Sequence, residues 1–199
     1  MIARPFVGEA PHFTRTANRH DYAMPPIADT LLDRLTAAGV PVIAIGKISD
    51  LFAARGITRR YPTKSDAMGM DLVDAAVDGE ERGLIFVNLV DFDTQYGHRN
   101  DPAGYAANLE RFDARLRALL PRLHADDMLV ITADHGNDPT TPSTDHSREH
   151  VPLLVTGTHV RRVNLGTRAT FSDLGQTIAE NFGVPPLPHG TSFLEAIRA

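Results

Sequence analysis

Residues 84–90, Leu-Ile-Phe-Val-Asn-Leu-Val, restrict the fold more than any other stretch of this chain. So nearly continuous an apolar run has no polar face to offer water, and a strand built from it must be covered on both sides. That is the situation of a strand inside a parallel sheet flanked by helices. Shorter apolar runs at 40–45, 128–132 and 151–155 predict three more strands. Between them the spacing turns helical. Ile27, Leu31, Leu32 and Leu35 form one stripe with Gly39 as its stop, and residues 48–54 read as a short helix ended by Gly56. Residues 65–77 read as a helix with Ser65 as its cap. Pro102 opens a long amphipathic helix whose inner stripe is Tyr105, Leu109, Phe112, Leu116, Leu119 and Leu120. Helices at 172–182 and 192–197 close the chain. This alternation predicts an α/β layered fold with a mainly parallel sheet and helices on both faces.

Composition narrows the function classes. At 199 residues the chain is long enough for one well-packed domain. A net charge of −5 with both signs interspersed leaves no basic stripe for nucleic acid. No apolar run reaches the length of a membrane span, and the first residues lack the apolar core of a secretory leader. A cytoplasmic location is the expectation, with neither nucleic acid nor membrane as partner. The absence of cysteine rules out thiolate ligands, so any metal must be held by Asp, Glu and His.

In open α/β sheets ligands bind beyond the carboxyl ends of the strands. Those ends are where the polar clusters fall. After the run at 84–90 come Asp91, Asp93 and His98; after the run at 128–132 come Asp134 and His135, and then Asp145, His146, Arg148 and His150. A lone aspartate after a strand is usually a turn former, and a lone loop histidine is usually solvated. Adjacent Asp-His pairs recurring at neighbouring strand ends exceed what turn chemistry needs. They point to a divalent cation with mixed carboxylate and imidazole ligands. Asp138, before Pro139, reads as turn chemistry.

The string T-A-D-H-G-N-D-P-T at 132–140, with T-D-H-S-R-E-H-V-P at 144–152 and N-L-V-D-F-D at 88–93 followed by Y-G-H-R, resembles phosphopentomutases, members of the alkaline phosphatase superfamily. A-R-P-F-V-G at 3–8, F-T-R-T-A-N-R at 13–19 and I-G-K-I at 45–48 extend the resemblance over nearly the whole chain. The resemblance implies an alkaline-phosphatase-like fold lacking its N-terminal part. Residues 1–25 would be the end of a cap domain and its return linker, and 26–199 the C-terminal part of the metal-binding core. It implies two divalent ions, most often manganese: Asp93, His98 and His146 for one, Asp134 and His135 toward the other. Arg15 and Lys47 match positions facing the sugar phosphate. Asp91, Asp145, Arg148 and His150 would orient imidazoles and organise the loop. Family sequences carry a bulky aromatic and a glycine where Thr141 and Ser143 stand, which bears on loop packing.

The implied reaction interconverts ribose or deoxyribose 1-phosphate and 5-phosphate through a phosphothreonine enzyme and a bisphosphate. The threonine nucleophile and one further metal-binding aspartate belong to an N-terminal segment with no counterpart here, so the expectation is a C-terminal portion without turnover of its own. Two other readings stay open: a metal-dependent phosphatase or phosphonate hydrolase of the same superfamily, and a non-catalytic metal-binding fragment.

Overall fold

The computed structural model describes residues 2–3, 5–15, 20–21, 23–79 and 82–199. At the start, β1 (Ile2–Ala3) pairs antiparallel with β4 (His20–Asp21), and β2 (Phe6–Glu9) forms a hairpin with β3 (His12–Arg15). The core follows as α1 (Leu31–Ala37), β5 (Val42–Ile45), α2 (Ile48–Leu51), β6 (Arg59–Tyr61), α3 (Asp66–Gly79), β7 (Leu84–Val87), α4 (Pro102–Leu119), β8 (Leu129–Ile131), β9 (Leu154–Thr156), α5 (Ser172–Phe182) and α6 (Leu194–Ile197).

A parallel three-stranded sheet in the order β6-β5-β7 organises this core. Successive side chains on a strand point to opposite faces, and β5 is apolar on both. Val42, with Leu84 and Phe86 of β7, packs against Leu32 and Leu35 of α1 and Ala179 of α5. Ile43 and Ile45, with Ile85 and Val87, pack on the other side against Met70 and Val73 of α3 and Leu119 of α4. Helices therefore cover both faces, as the apolar runs require. A third cluster sets Phe193, Leu194 and Ile197 under β8 and β9 through Met128, Leu153 and Val155.

Helix α1 begins one residue after Thr30, whose hydroxyl accepts from the Asp33 N–H at 3.4 Å while the Asp33 carboxylate accepts from the Thr30 N–H at 2.7 Å. This reciprocal box satisfies two of the donors a helix start leaves open. Burial raises the pKa of Asp33, but the Thr30 bonds and the Arg55 guanidinium outweigh it and hold the carboxyl below its ordinary value. The box therefore contributes stability above the ordinary carboxylate range and loses it as pH falls through the lowered folded value. Thr30→Ala is expected to cost about 1 kcal/mol, read as a lower urea midpoint with an unchanged slope.

Several features differ from the sequence expectation, among them the unexpected strand β6 in the parallel sheet. Strand β7 stops at Val87 rather than Val90, because its neighbour β5 ends at Ile45 and Gly46 turns away at φ +81°. Asn88 donates to the Ile45 carbonyl at 3.0 Å, and residues 89–90 then have no ladder to join. The fourth strand, β9, pairs antiparallel with β8 and not in the three-stranded sheet. A parallel return needs a crossover, usually helical, and residues 132–153 hold no helix to make one. The opening segment, read as lacking strand periodicity, is a hairpin. Phe6, Val7 and Phe13 are 60%, 59% and 55% exposed, so it has no buried face to imprint alternation on its sequence. Cross-strand pairing holds it instead, with Phe6 and Phe13 edge-on at 5.0 Å. Among the described residues, no helix is long and apolar enough to cross a membrane.

Candidate metal centre

Beyond β7 the chain enters a π-turn, Phe92–Tyr96, then a 3-10 turn, Gly97–Arg99, which Asn100 closes at φ +50°. Two short helical turns in succession aim Asp93 and His98 at the same space. Beyond β8 the loop doubles back on itself through a bridge between Gly136 and Ser147, with the Ser147 N–H donating to the Gly136 carbonyl at 3.2 Å. That bridge brings His135 and His146, far apart in sequence, onto one another. Their rings stack with centroids 3.7 Å apart, and His98 stacks on the other side of His146 at 4.9 Å.

Asp93 is the hub. Its Oδ1 lies 3.2 Å from His146 Nε2 and 3.3 Å from His98 Nε2, and it accepts from Asn137 Nδ2 at 2.7 Å. One ligand atom each of Asp93, His135 and His146 lie within 4.8 Å of one another. The imidazoles are held in a specific tautomer. His98 Nδ1 is bonded to the Thr144 carbonyl, and His135 Nδ1 is 3.1 Å from the Gly136 carbonyl. A carbonyl can only accept, so Nδ1 of each ring is the donor, and Nε2 is the nitrogen that a cation would take. His98 Nε2 faces the Asp93 carboxylate oxygen at 3.3 Å, an arrangement open to an ion pair or to a shared cation. An Nδ1–H bound to a backbone carbonyl with Nε2 directed at a carboxylate is the posture of a metal-ligating histidine.

The local electrostatics are negative. Tyr105, on α4, packs edge-on against Phe92 at 5.1 Å, and burial first, then the charges of Asp138 and Asp93, push its phenol above its ordinary pKa. Asp66, at the start of α3, is buried, and desolvation raises its carboxyl despite bonds from Asp91 and Asn108 that act the other way.

All five candidate metal ligands fall in this region. Asp134 is the outlier, 64% exposed, with its Oδ1 3.8 Å from His135 Nε2. The grouping that the resemblance implies sets His135 apart from Asp93 and His146; in space the five groups form one continuous chain from Asp134 through His135, His146 and Asp93 to His98. Lys47 follows β5 at the same end of the sheet as Asp91, half-buried, and caps α2 without a side-chain hydrogen bond. Arg15 closes β3, and its side chain lies outside the described residues, as do residues 16–19.

The residues expected to orient the imidazoles do not. Thr144 and Gly136 carbonyls take that part, while Asp145, Arg148 and His150 are exposed and, among the described residues, make no side-chain bond to a histidine. Backbone carbonyls are a partner that side-chain identity never advertises. Asp138 is a turn former, accepting from the Thr140 N–H at 2.8 Å and hydroxyl at 2.7 Å, bonds that lower its pKa. Thr141 and Ser143 stitch the loop by hydrogen bonds: Thr141 Oγ1 donates to the Asp138 carbonyl at 3.0 Å, and Ser143 Oγ accepts from the Asp145 N–H at 3.0 Å. Asn137 and Asp66 were not singled out by sequence. Asn137 stands two residues after His135 inside the recognised string, so its neighbourhood was a signal. Asp66 reads only as a helix-start residue.

The metalloenzyme superfamily model matches residues 7–186. The phosphopentomutase of Kosmotoga olearia is 56% identical over 198 residues, covering 99% of this chain and 51% of that protein. That of Thermotoga maritima is 56% identical over 199 residues with the same coverage, 99% and 51%. That of Anaeromyxobacter sp. strain K is 57% identical over 197 residues, covering 99% and 50%. The chain spans about half the length of the curated relatives it matches. A crystal structure of Leishmania mexicana phosphoglycerate mutase at low cobalt concentration matches with a TM-score of 0.66 at 18% identity, over 81% of this chain and 38% of that one, a likeness of fold.

Proposed function

Because the chain belongs to the metalloenzyme superfamily, we propose that it carries the metal-binding half of a phosphopentomutase. The observation that carries the metal reading is the convergence of His98 Nε2 at 3.3 Å and His146 Nε2 at 3.2 Å on Asp93 Oδ1, with His135 stacked on His146. Mixed oxygen and nitrogen donors suit a borderline divalent ion. Asp93, His98 and His146 would hold one ion, with Asp134 and His135 toward a second. Bound there, such ions supply positive charge that acidifies a hydroxyl nucleophile and stabilises a transferring phosphoryl group.

The chain's own residues do the rest of the work assigned to this half. Asn137 holds the Asp93 carboxylate, and the Thr144 and Gly136 carbonyls hold the imidazole tautomers. Lys47 and Arg15 are assigned to the sugar phosphate, an ammonium and a planar guanidinium being suited to it. The identity to phosphopentomutases supports a pentose phosphate as substrate; manganese as the ion and a cytoplasmic location belong to the same reading. No residue of this chain is assigned as nucleophile. In this reading the phosphothreonine and the bisphosphate arise with a threonine contributed by polypeptide outside the half matched here.

The test uses the chain with Mn2+ and ribose 5-phosphate, followed by phosphorus NMR. Mn2+ is expected to broaden the sugar-phosphate resonance more strongly with the protein than without it, with no ribose 1-phosphate formed. Equal broadening with or without the chain would sink the substrate assignment. Appearance of free phosphate would favour a phosphatase, and turnover by the chain alone would overturn the assignment of the nucleophile elsewhere.

A further inference from the structure

Asp66 is 8% exposed and Asn108 5% exposed, and buried polar side chains are few among the described residues. Neither touches a candidate ligand, yet both are bonded into the turn that presents one. The Asp91 N–H donates to Asp66 Oδ1 at 2.9 Å, and the Asp66 N–H donates back to Asp91 Oδ2 at 2.8 Å. The other Asp66 oxygen, Oδ2, accepts from Asn108 Nδ2 at 2.9 Å. Arg111 completes the set, donating to Asn108 Oδ1 at 3.1 Å and to the Tyr96 hydroxyl at 2.8 Å. Asp91 immediately precedes the π-turn and Tyr96 ends it. The turn that carries Asp93 is thus tied at its entry to α3 and α4 through Asp66 and Asn108, and at its exit to α4 through Arg111.

We propose that Asp66 is a positioning residue for the candidate metal centre, acting with Asn108 to fix the turn from which Asp93 reaches the imidazoles. The proposal rests on the metal reading of that cluster. A π-turn needs such support, because its wide hydrogen-bond spacing makes it a rare and weakly self-sustaining conformation. Buried polar networks hold one geometry only when every member is satisfied, and this one is directional throughout. Asn108 cannot be reversed: turning its amide would set its NH2 against the Arg111 guanidinium, donor against donor.

That directionality supplies the test. Asp66→Asn keeps the size of the side chain and an oxygen for the Asp91 N–H, but sets a second NH2 against Asn108 Nδ2. Adding Asn108→Asp reverses the donor and the acceptor, so that every bond returns, including the one from Arg111, at the same net charge. Binding of Mn2+ alone to the full chain is followed by the paramagnetic resonance of the free ion, alongside thermal unfolding.

Asp66→Asn is expected to weaken Mn2+ binding about tenfold, the scale seen when groups supporting a metal ligand are lost. The double variant Asp66→Asn/Asn108→Asp is expected to return to within about threefold of the parent, the two positions being strongly coupled. Thr30→Ala, which loosens α1 away from the site, should lower the midpoint and leave Mn2+ affinity alone, so lost stability is not the cause. Should Asp66→Asn not fold, Asn108→Ala removes the same support from the other side, with the same expected loss. If the parent binds Mn2+ and these single variants match it within about twofold, the positioning role is wrong while the metal reading stands. Recovery of the midpoint in the double variant without recovery of affinity overturns it as well. A parent that binds no Mn2+ removes both.

Discussion

Asp93→Asn is expected to weaken Mn2+ binding by more than about 100-fold, beyond the loss typical of groups that merely support ligands. The single side chain is contacted by His98, His146 and Asn137 at 3.3, 3.2 and 2.7 Å. Substitution removes the negative charge that balances a cation, and an NH2 standing in the place of Oδ1 would meet the two imidazole nitrogens and the Asn137 amide together. An unoccupied ligand position is also harder to replace here than at an open site, because the surrounding rings are stacked and their Nδ1 atoms committed to Thr144 and Gly136. Equilibrium dialysis with Mn2+ measures the effect, and His98→Gln should show a smaller loss, since His146 still meets Asp93 at 3.2 Å with His135 stacked on it. An Asp93→Asn affinity within tenfold of the parent would mean that the ion sits elsewhere.

Gly46→Ala is expected to destabilise the fold by about 3 kcal/mol, combining left-handed backbone strain with a steric clash. Gly46 adopts φ +81°, and a Cβ there would stand 2.4 Å from the Asn88 carbonyl oxygen. That oxygen is backbone, on a residue whose N–H bonds to Ile45 at 3.0 Å, so relief means separating β5 from the chain leaving β7. Gly39→Ala is the comparison. It has φ +74° but nothing within 4 Å of the added carbon, so strain alone should cost about 1 kcal/mol. Urea denaturation of both variants separates conformation from crowding. Equal losses would show that the carbonyl moves aside freely. Because Gly46 also sets the direction of Lys47, the substitution tests the path by which the sheet places that ammonium.

Several of these features were legible in the sequence because they depend on local patterns. The apolar faces of β5 and β7 had to be covered on both sides, and α1 with α5, and α3 with α4, cover them. Strand ends are where chains can place polar groups without breaking a core, so Asp93, His98, Asp134, His135 and His146 stood out as candidates. The hairpin at Phe6–Arg15 was not legible, since strands that bury no face carry no period. Neither was the direction of β9, which depends on a loop that lacks a crossover helix. The Asp66–Asn108 pair spans 42 positions, and no local pattern distinguishes a caged carboxylate from a helix cap.

The order of apolar and polar residues along this chain determined its layered α/β architecture and the strand ends where donors collect, because burial and periodicity act over a few residues at a time. Which donors meet was decided only when the chain was folded. The Gly136–Ser147 bridge lays His135 on His146, and carbonyls of Thr144 and Gly136 engage the Nδ1 atoms of His98 and His135. Such contacts join positions remote in sequence through backbone atoms common to every residue, and it is their geometry in space, not the letters, that distinguishes a ligand from a bystander.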